Sequence, residues 1–337
     1  MVRSASRKGL PISVSGCRHS MGGQQFAVDG ICIDTRKLDG LISFDRERGL
    51  LEAEAGIQWP KLIRAYLDTQ AGEKKQWGIA QKQTGADTFT LGGSLSSNVH
   101  GRGLRMKPLI SNIESFTLIN ADGKSIRCSR EENNELFRLA IGGYGLFGLI
   151  DTVTLRLVPR QKLRRVVEII RANDLPMRFE ERAAQNFLYG DFQFSVDEKS
   201  PDFLQRGVFS CYEPINADEP IVAKKELRDD DWLDLLRLAY TDRRKAFERY
   251  SQHYLSTNGQ TYWSDTSQLS AYLPNYAVKI RELIGGEESS LIITEIYVRR
   301  LDLPDFLTKA ADLLRSNRTT VIYGTVRLIE KDDESFL

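Results

Sequence analysis

"TLGGSLSSNVHGRG", residues 90–103, sets two glycines side by side and follows them with three serines and an asparagine. Bare backbone N–H groups and small hydroxyls are the chemistry of a phosphate cradle built from amide dipoles rather than from lysines. The same residues also suit a short serine-capped helix packed tightly on its neighbours, and the stretch alone leaves the two readings level. His100 and Arg102 close it with two groups able to hydrogen-bond a ligand or steady negative charge.

A second stretch, "SVSGCRHSMGGQ" (13–24), repeats this physics upstream. The alternating run from Leu10 to Val14 leads into a turn where Ser15, Gly16, Ser20, Gly22 and Gly23 leave the amides accessible. His19 stands at its centre, one of three histidines in 337 residues; a lone histidine in such a turn is more often structural than functional. Downstream, "GGYGLFG" (142–148) spaces Gly143, Gly145 and Gly148 as G-x-G-x-x-G. A dinucleotide fold of the Rossmann kind needs a strand before that pattern and a helix after it. Here "ENNELFRLA" precedes as a helix and "LIDTVTLRLV" follows as a strand, so that fold is rejected. The glycines instead allow a tight helix-to-strand passage that a flat ligand can approach. Two anion-binding turns suit a ligand with a pyrophosphate at its middle, and the third loop suits its flat end.

Between these loops the signals alternate. Strands are expected at 12–15, 31–34, 50–54, 113–119, 124–128 and 150–158, and helices at 60–69 and 131–140. Pro60 opens the first helix, and Ser129 with Glu132 forms a capping box for the second. "INADGKSI" (119–126) reads as a hairpin turn with Gly123 at a positive φ. Near residue 160, after "LVPRQKLRR", glycine thins out. Strands at 187–196, 206–213, 289–299 and 319–329 then alternate with helices at 228–249, 267–284 and 303–316. In the last helix Phe306, Ala310, Leu313 and Leu314 share a face. The expected architecture is α+β, with domains at 1–160 and 161–337.

Composition bounds the function. Hydrophobic residues make up 41% and charged residues 28%, and 47 basic against 46 acidic residues leave a net charge of +1. Nucleic acid is not expected as a partner at that balance. Cys17, Cys32, Cys128 and Cys211 are scattered, which fits reduced thiols rather than a disulfide frame or a metal site. No apolar run reaches the length of a transmembrane segment, and a soluble cytoplasmic protein is expected. Residues 2–8 read as the last turns of a helix, and "VIYGTVRLIEKDDESFL" runs from a strand into the terminus. The chain is therefore expected to be truncated at both ends.

Together, "KGLPISVSGCRHSMGGQ", "GIQWPKLIRAYL", "QTGADTFTLGGSLSSNVHGRG" and "NIESFTLINADGKSIRCSREENNELFRLAIGGYGLFGLIDTVTLRLVP" resemble the FAD-linked oxidases of the vanillyl-alcohol oxidase (PCMH) type. Within that family the second and third segments look most like decaprenylphosphoryl-ribose oxidases and the aldonolactone and alditol oxidases. The resemblance implies a two-part FAD-binding domain followed by an α+β cap domain over the flavin. It implies that Ser15, Gly16, Cys17, Arg18, His19 and Ser20 wrap the FAD pyrophosphate. Gly85, Thr90, Gly92, Gly93, Ser97, His100 and Gly101 would line the cofactor, and Ile150 would meet one end through its backbone. His19 falls where many members carry a histidine bonded to the flavin. The cysteine that provides a second tether in berberine-bridge-type members is absent from "GGSLSSNVHG".

Hydride abstraction by flavin from an alcohol needs a base for the hydroxyl proton. Family architecture places a cap sheet over the ring, so polar residues alternating on cap strands are candidates. Glu295 and Tyr297 share one face, as do Tyr323, Thr325 and Arg327 against Ile322, Val326 and Leu328, while Asp191 and Gln193 alternate with Phe192 and Phe194. Each of these could equally be the solvated side of a half-buried sheet. His100, Glu295, Tyr323 and Arg327 are expected as the catalytic pocket, with Arg327 suited to a carboxylate or phosphate. The expected function is FAD-dependent oxidation of a C–OH group in a sugar, lactone, polyol or hydroxy acid, with oxygen or another acceptor taking the electrons. The rival readings are a truncated flavin-binding protein without turnover and an NADPH-dependent reductase on the same fold.

Overall fold

Runs rich in Leu, Ile and Val that alternate with polar residues bury one face, and here they build two separate five-stranded sheets. The computed structural model describes residues 1–20, 22–222, 225–270, 276–285 and 292–336. A short helix α1 (Val2–Arg7) leads into β1 (Ile12–Ser15), which pairs in parallel with β2 (Ile31–Asp34). Next come β3 (Leu41–Asp45), β4 (Leu50–Glu54), α2 (Trp59–Thr69), β5 (Trp77–Gly78) and α3 (Leu91–Ser96). They are followed by β6 (Ile113–Ile119), β7 (Ser125–Ser129), α4 (Asn134–Ala140), β8 (Leu149–Arg156) and β9 (Val158–Pro159). The first large sheet has the order β3-β4-β8-β6-β7, all antiparallel. Helix α2 presents Trp59, Leu62, Ile63 and Tyr66 to it at helical spacing, and all four are buried.

Residue 160 lies between β9 and the next strand, β10 (Lys162–Arg171). Then follow α5 (Leu175–Ala184), β11 (Tyr189–Phe194), β12 (Arg206–Pro214), α6 (Asp229–Thr241), α7 (Arg243–Ser256), β13 (Thr261–Trp263), α8 (Tyr276–Ile284), α9 (Leu303–Ser316) and β14 (Thr325–Val326). The second sheet has the order β13-β10-β12-β11-β14. Phe192, Phe209 and Cys211 on one face pack with Phe179 of α5 and with Leu307 and Ala311 of α9. The opposite face carries Leu163, Tyr189 and Tyr212 toward the first domain, and Val167 and Val208 toward α6 and α7.

Several expectations change. The helix expected at 228–249 is two helices, because Asp242 leaves the helical conformation and caps the second through its carboxylate. Ser129 Oγ accepts from the amides of Glu131 and Glu132 as a capping box would, yet α4 begins only at Asn134. Asn133, at φ 50, interposes a left-handed residue. In α9 the buried face centres on Leu307 and Ala311, which leaves Leu313 64% exposed. The strand expected at 319–329 pairs with a neighbouring strand only at Thr325–Val326. Of 289–299, residues 289–291 lie outside the described residues, and 292–299 pair with no strand. Residues 271–275 of the helix expected at 267–284 are also outside them; 266–268 form a single 3₁₀ turn, and α8 begins at Tyr276.

Candidate functional site

The turn after β1 lies against α3. A Cβ on Gly16 would stand 2.2 Å from Thr90 Oγ1, so only a glycine lets the two loops approach this closely. Thr90 caps α3, its hydroxyl accepting from Gly93 N at 3.3 Å, while Gly92 N donates to Ala55 O at 2.7 Å. The glycine–serine stretch is thus a short helix, capped by Thr90 rather than by a serine. Ser97 closes that helix, and Gly101 N donates to Gln81 Oε1. The third loop completes the cluster. Gly142 N reaches Leu95 O and Tyr144 N reaches Ser96 O, at 3.0 and 2.9 Å. All three glycine-rich stretches therefore meet around one six-residue helix.

Ser15 is buried, and its carbonyl accepts from Thr35 N and Thr35 Oγ1. Gly16, Cys17 and Arg18 donate from their amides to no backbone carbonyl among the described residues. Cys17 Sγ receives Gln58 Nε2 at 3.0 Å, and burial pushes its thiol up. Arg18, at φ 60, lies 3.8 Å from Asp34, and Ser20 is exposed. The Arg36 guanidinium holds the Asp34 carboxyl down at about 2. His19 stacks on Phe89 at 4.2 Å with an 8° interplanar angle, and its Nε2 meets Thr88 Oγ1 at 2.8 Å. Burial lowers its pKa, which favours the neutral imidazole. Ile150 sits in β8 opposite Leu118, inside the core.

Two observations test whether an extended dinucleotide suits these loops. Thr84 Oγ1 is buried with no hydrogen-bond partner among the described residues. Beside it Gly85, at φ +108, faces open space with nothing within 4 Å of where a side chain would start. An unmet hydroxyl next to open room is what a bound ligand oxygen would satisfy, and the residues present fit FAD.

The segment leaving this cradle is stitched to the cap sheet. Arg102 O accepts from Gly190 N at 2.8 Å, Gly103 bridges Tyr189, and Leu104 N donates to Leu188 O. This brings Arg102 within 4.0 Å of Asp191 and lays its guanidinium 4.7 Å from the Tyr212 ring. On the cap, Asp191 lies opposite Ser210, and Gln193 opposite Thr325. His100 and Glu295 meet: Nε2 lies 2.6 Å from Oε1, and Nδ1 lies 3.1 Å from Gly101 O. The hydrogen bond from His100 holds the Glu295 carboxyl below the usual carboxylate range, with help from Arg327 and Tyr297. Tyr323 is 57% exposed overall, and desolvation at its hydroxyl together with Asp191 pushes the phenol up. Of the expected pocket, His100 and Glu295 are thus in contact; Tyr323 feels the charges of Asp191 and Arg327, and Glu295 that of Arg327, without a direct contact among the described residues.

Lys82 has no signal in the sequence. Its side chain is fully buried, with Nζ 2.7 Å from Asp87 Oδ1 and 2.8 Å from Gln83 O. Burial lowers its pKa against the opposing pull of Asp87, and Arg102 and Arg327 add to the lowering. Asp87 is anchored in turn by Ser270 N at 2.8 Å. No group of His, Cys, Asp and Glu among the described residues could hold a metal ion. No described helix is long and apolar enough to cross a membrane.

Residues 1–129 match the family model described as FAD binding domain. Over 171 residues the chain is 30% identical to cytokinin dehydrogenase 9 of Oryza sativa subsp. japonica, covering 48% of this chain and 30% of that protein. It is 26% identical over 177 residues to cytokinin dehydrogenase 1 of Arabidopsis thaliana, covering 50% and 29%. With L-gulonolactone oxidase of Mus musculus it shares 31% identity over 157 residues, covering 46% and 34%. Each match spans well under half of the relative's own length.

Proposed function

We propose, from the premise that residues 1–129 are an FAD-binding domain of the FAD-linked oxidase family, that this protein oxidises a CH–OH group of a sugar, lactone, polyol or hydroxy acid. The observation that carries the reading is the contact between His100 of the cradle segment and Glu295 of the cap side, 2.6 Å across the seam. FAD, when bound, would supply the hydride acceptor for the carbinol carbon. The chain's own work is to remove the hydroxyl proton and to hold the carbon in place. Both His100 nitrogens face acceptors, Nδ1 toward Gly101 O and Nε2 toward Glu295 Oε1, so the imidazole is the donor of the pair and the Glu295 carboxylate is the group that takes the hydroxyl proton. The hydrogen bond from His100 keeps Glu295 ionised and orients its carboxylate. Asp191 and Tyr323 offer further hydrogen-bond partners to a polyhydroxylated or hydroxy-acid substrate.

L-gulonolactone oxidase among the relatives favours a CH–OH donor, whereas the cytokinin dehydrogenases point to oxidation beside an amine nitrogen. An acid–base pair at the seam fits the alcohol, whose O–H must lose a proton as the hydride leaves. His19, neutral and stacked on Phe89 in the first loop, is proposed as the residue that tethers the flavin. The four free cysteines fit a reducing compartment such as the cytoplasm.

The test loads the protein with FAD and records its spectrum before and after acid precipitation, in the wild type and in His19→Ala. Colour that stays with the wild-type pellet and leaves that of His19→Ala supports the tether; release from both refutes it. Anaerobic bleaching by polyols, lactones or hydroxy acids supports the reaction. Bleaching by cytokinins alone, or by NADPH alone, overturns it.

A further inference from the structure

Three cations converge where the cradle segment meets the cap sheet, and three anions stand near them. Asp87 is the counter-charge of Lys82 at 2.7 Å, and Asp191 that of Arg102 at 4.0 Å. Glu295 is taken by His100 at 2.6 Å. Arg327 is left over. It is half-buried, and it makes no hydrogen bond or ion pair with any described residue. A guanidinium withdrawn from water without an acceptor is costly, because each of its N–H groups loses a water partner.

Its surroundings repeat the deficit. Thr325 Oγ1, two residues before it, is buried without a partner, and so are Ser210 Oγ and Arg102 Nε. The strand register gathers these groups. Gln193 pairs with Thr325 and Asp191 pairs with Ser210, so Thr325 and Ser210 flank β11 on the face that carries Asp191. Arg102 reaches the same face through its 4.0 Å approach to Asp191. Unmet donors of two guanidinium groups and two hydroxyls therefore surround one region, beside the His100–Glu295 contact. The electrostatic influence of Arg327 on both Lys82 and Glu295 puts its charge in the same region.

We propose that Arg327 seats a carboxylate of the substrate, with Arg102 Nε and the hydroxyls of Ser210 and Thr325 completing the subsite, so that the substrate is a hydroxy acid. This rests on the reading of the site as a CH–OH oxidase and narrows it. A planar guanidinium pairs with a carboxylate through two parallel N–H···O bonds, a geometry that no sugar hydroxyl reproduces. The carboxylate would lie on the cap side, leaving the carbinol between His100 and the cradle.

The test uses oxalate as the carboxylate probe and oxamide as its neutral counterpart, titrated by calorimetry into the FAD-loaded protein and into Arg327→Gln and Arg327→Lys. The expected result is oxalate binding that falls at least tenfold in Arg327→Gln and less in Arg327→Lys, with oxamide heats absent throughout. FAD affinity should be equal in all three proteins, which separates loss of the subsite from misfolding. Equal binding of oxamide and oxalate, no oxalate binding in the wild type, or undiminished binding in Arg327→Gln would overturn the proposal. The reduced cofactor is a second source of negative charge. A flavin potential that drops in Arg327→Gln while oxalate binding stays intact assigns the charge to the cofactor and also overturns it. If neutral polyols bleach the flavin while oxalate does not bind, the subsite falls and the CH–OH oxidase stands. If the protein takes up no FAD, the oxidase reading falls, and the calorimetry is read on the FAD-free chain.

Discussion

Replacing Gly16 with alanine tests the close approach on which the cradle depends. The added methyl would stand 2.2 Å from Thr90 Oγ1 and 2.9 Å from its Cγ2, roughly 1 Å short of an ordinary contact. Two responses are open. Either the turn backs away, or Thr90 rotates and gives up its bond to Gly93 N. Crowding of this size costs about 1–3 kcal/mol, and loss of a threonine cap costs about 1 kcal/mol. Gly16→Ala should therefore destabilise the chain by about 2 kcal/mol in urea, and should weaken FAD binding at least tenfold because the turn has moved. Thr90→Ala alone loses only the cap. In the double variant the hydroxyl that clashes has gone, so the two costs should fall short of additivity by about 1 kcal/mol. Urea midpoints for the four proteins, with flavin fluorescence for FAD affinity, give the answer. Simple additivity, or an unchanged Gly16→Ala, would show that the turn and α3 are not packed as described.

Two further outcomes follow from the seam. Glu295→Gln should slow flavin reduction by a CH–OH donor by about 100-fold, the lower end of what a positioned proton-transfer group contributes. The Glu295 carboxyl is held below its ordinary value of about 4.3, so its link to His100 is complete above that value and is lost as the pH falls through the lowered one. Stopped-flow rates against pH should show that acid limb in the wild type and not in Glu295→Gln; a limb shared by both would assign it elsewhere. Glu334 grips Arg130 through two bonds of 2.6 and 2.8 Å, and Arg138 donates to its carbonyl. Glu334→Gln should cost about 1 kcal/mol at low salt and less in 1 M salt, as expected of a partly exposed pair. A urea midpoint equal to that of the wild type at low salt would show that the pair contributes nothing.

The loops were legible because their chemistry is local. Gly16, Gly92 and Gly143 declare themselves as places where backbone must approach something, and the helix-then-strand order around 142–148 excluded the commoner dinucleotide fold without any structure. The cap was harder. No strand is expected at β10, since Arg164, Arg165 and Glu168 interrupt its apolar residues; its pairing with β12 and β13 supplies the backbone partners that a propensity count ignores. Helix α5 carries Pro176 at its start and four charges along it, which mask the buried stripe of Leu175, Phe179 and Ala183. The opposite error occurred at 292–299. The β-branched run "IITEIYV" promised a strand, but Ile292 and Ile293 are 88% and 79% exposed and pair with no strand among the described residues. Strand propensity needs a neighbouring edge to be realised.

Lys82 shows why the remaining part of the site escaped. Nothing near it in sequence marks it for burial, and its counter-charge, five residues on, would look like an ordinary surface pair. Its environment is made by residues far along the chain. Gln268 accepts from Lys82 N and donates to Ala80 O, Tyr189 OH donates to that same carbonyl, and Ser270 fixes Asp87. Nearby, Asp265 is wholly buried between Tyr66 OH and Arg160 Nε, each at 2.9 Å. Buried charges of this kind add little net stability, because desolvation consumes most of the attraction, but removing one partner is expensive. Their effect is to admit one arrangement of the cap on the cradle and to penalise the others. The proposed proton acceptor and the proposed carboxylate site both lie on that seam, with His100 and Glu295 separated by 195 positions in the chain. A pocket divided in this way keeps its geometry only if the two halves cannot slide, and the ties through Asp87 and Asp265 are what oppose sliding.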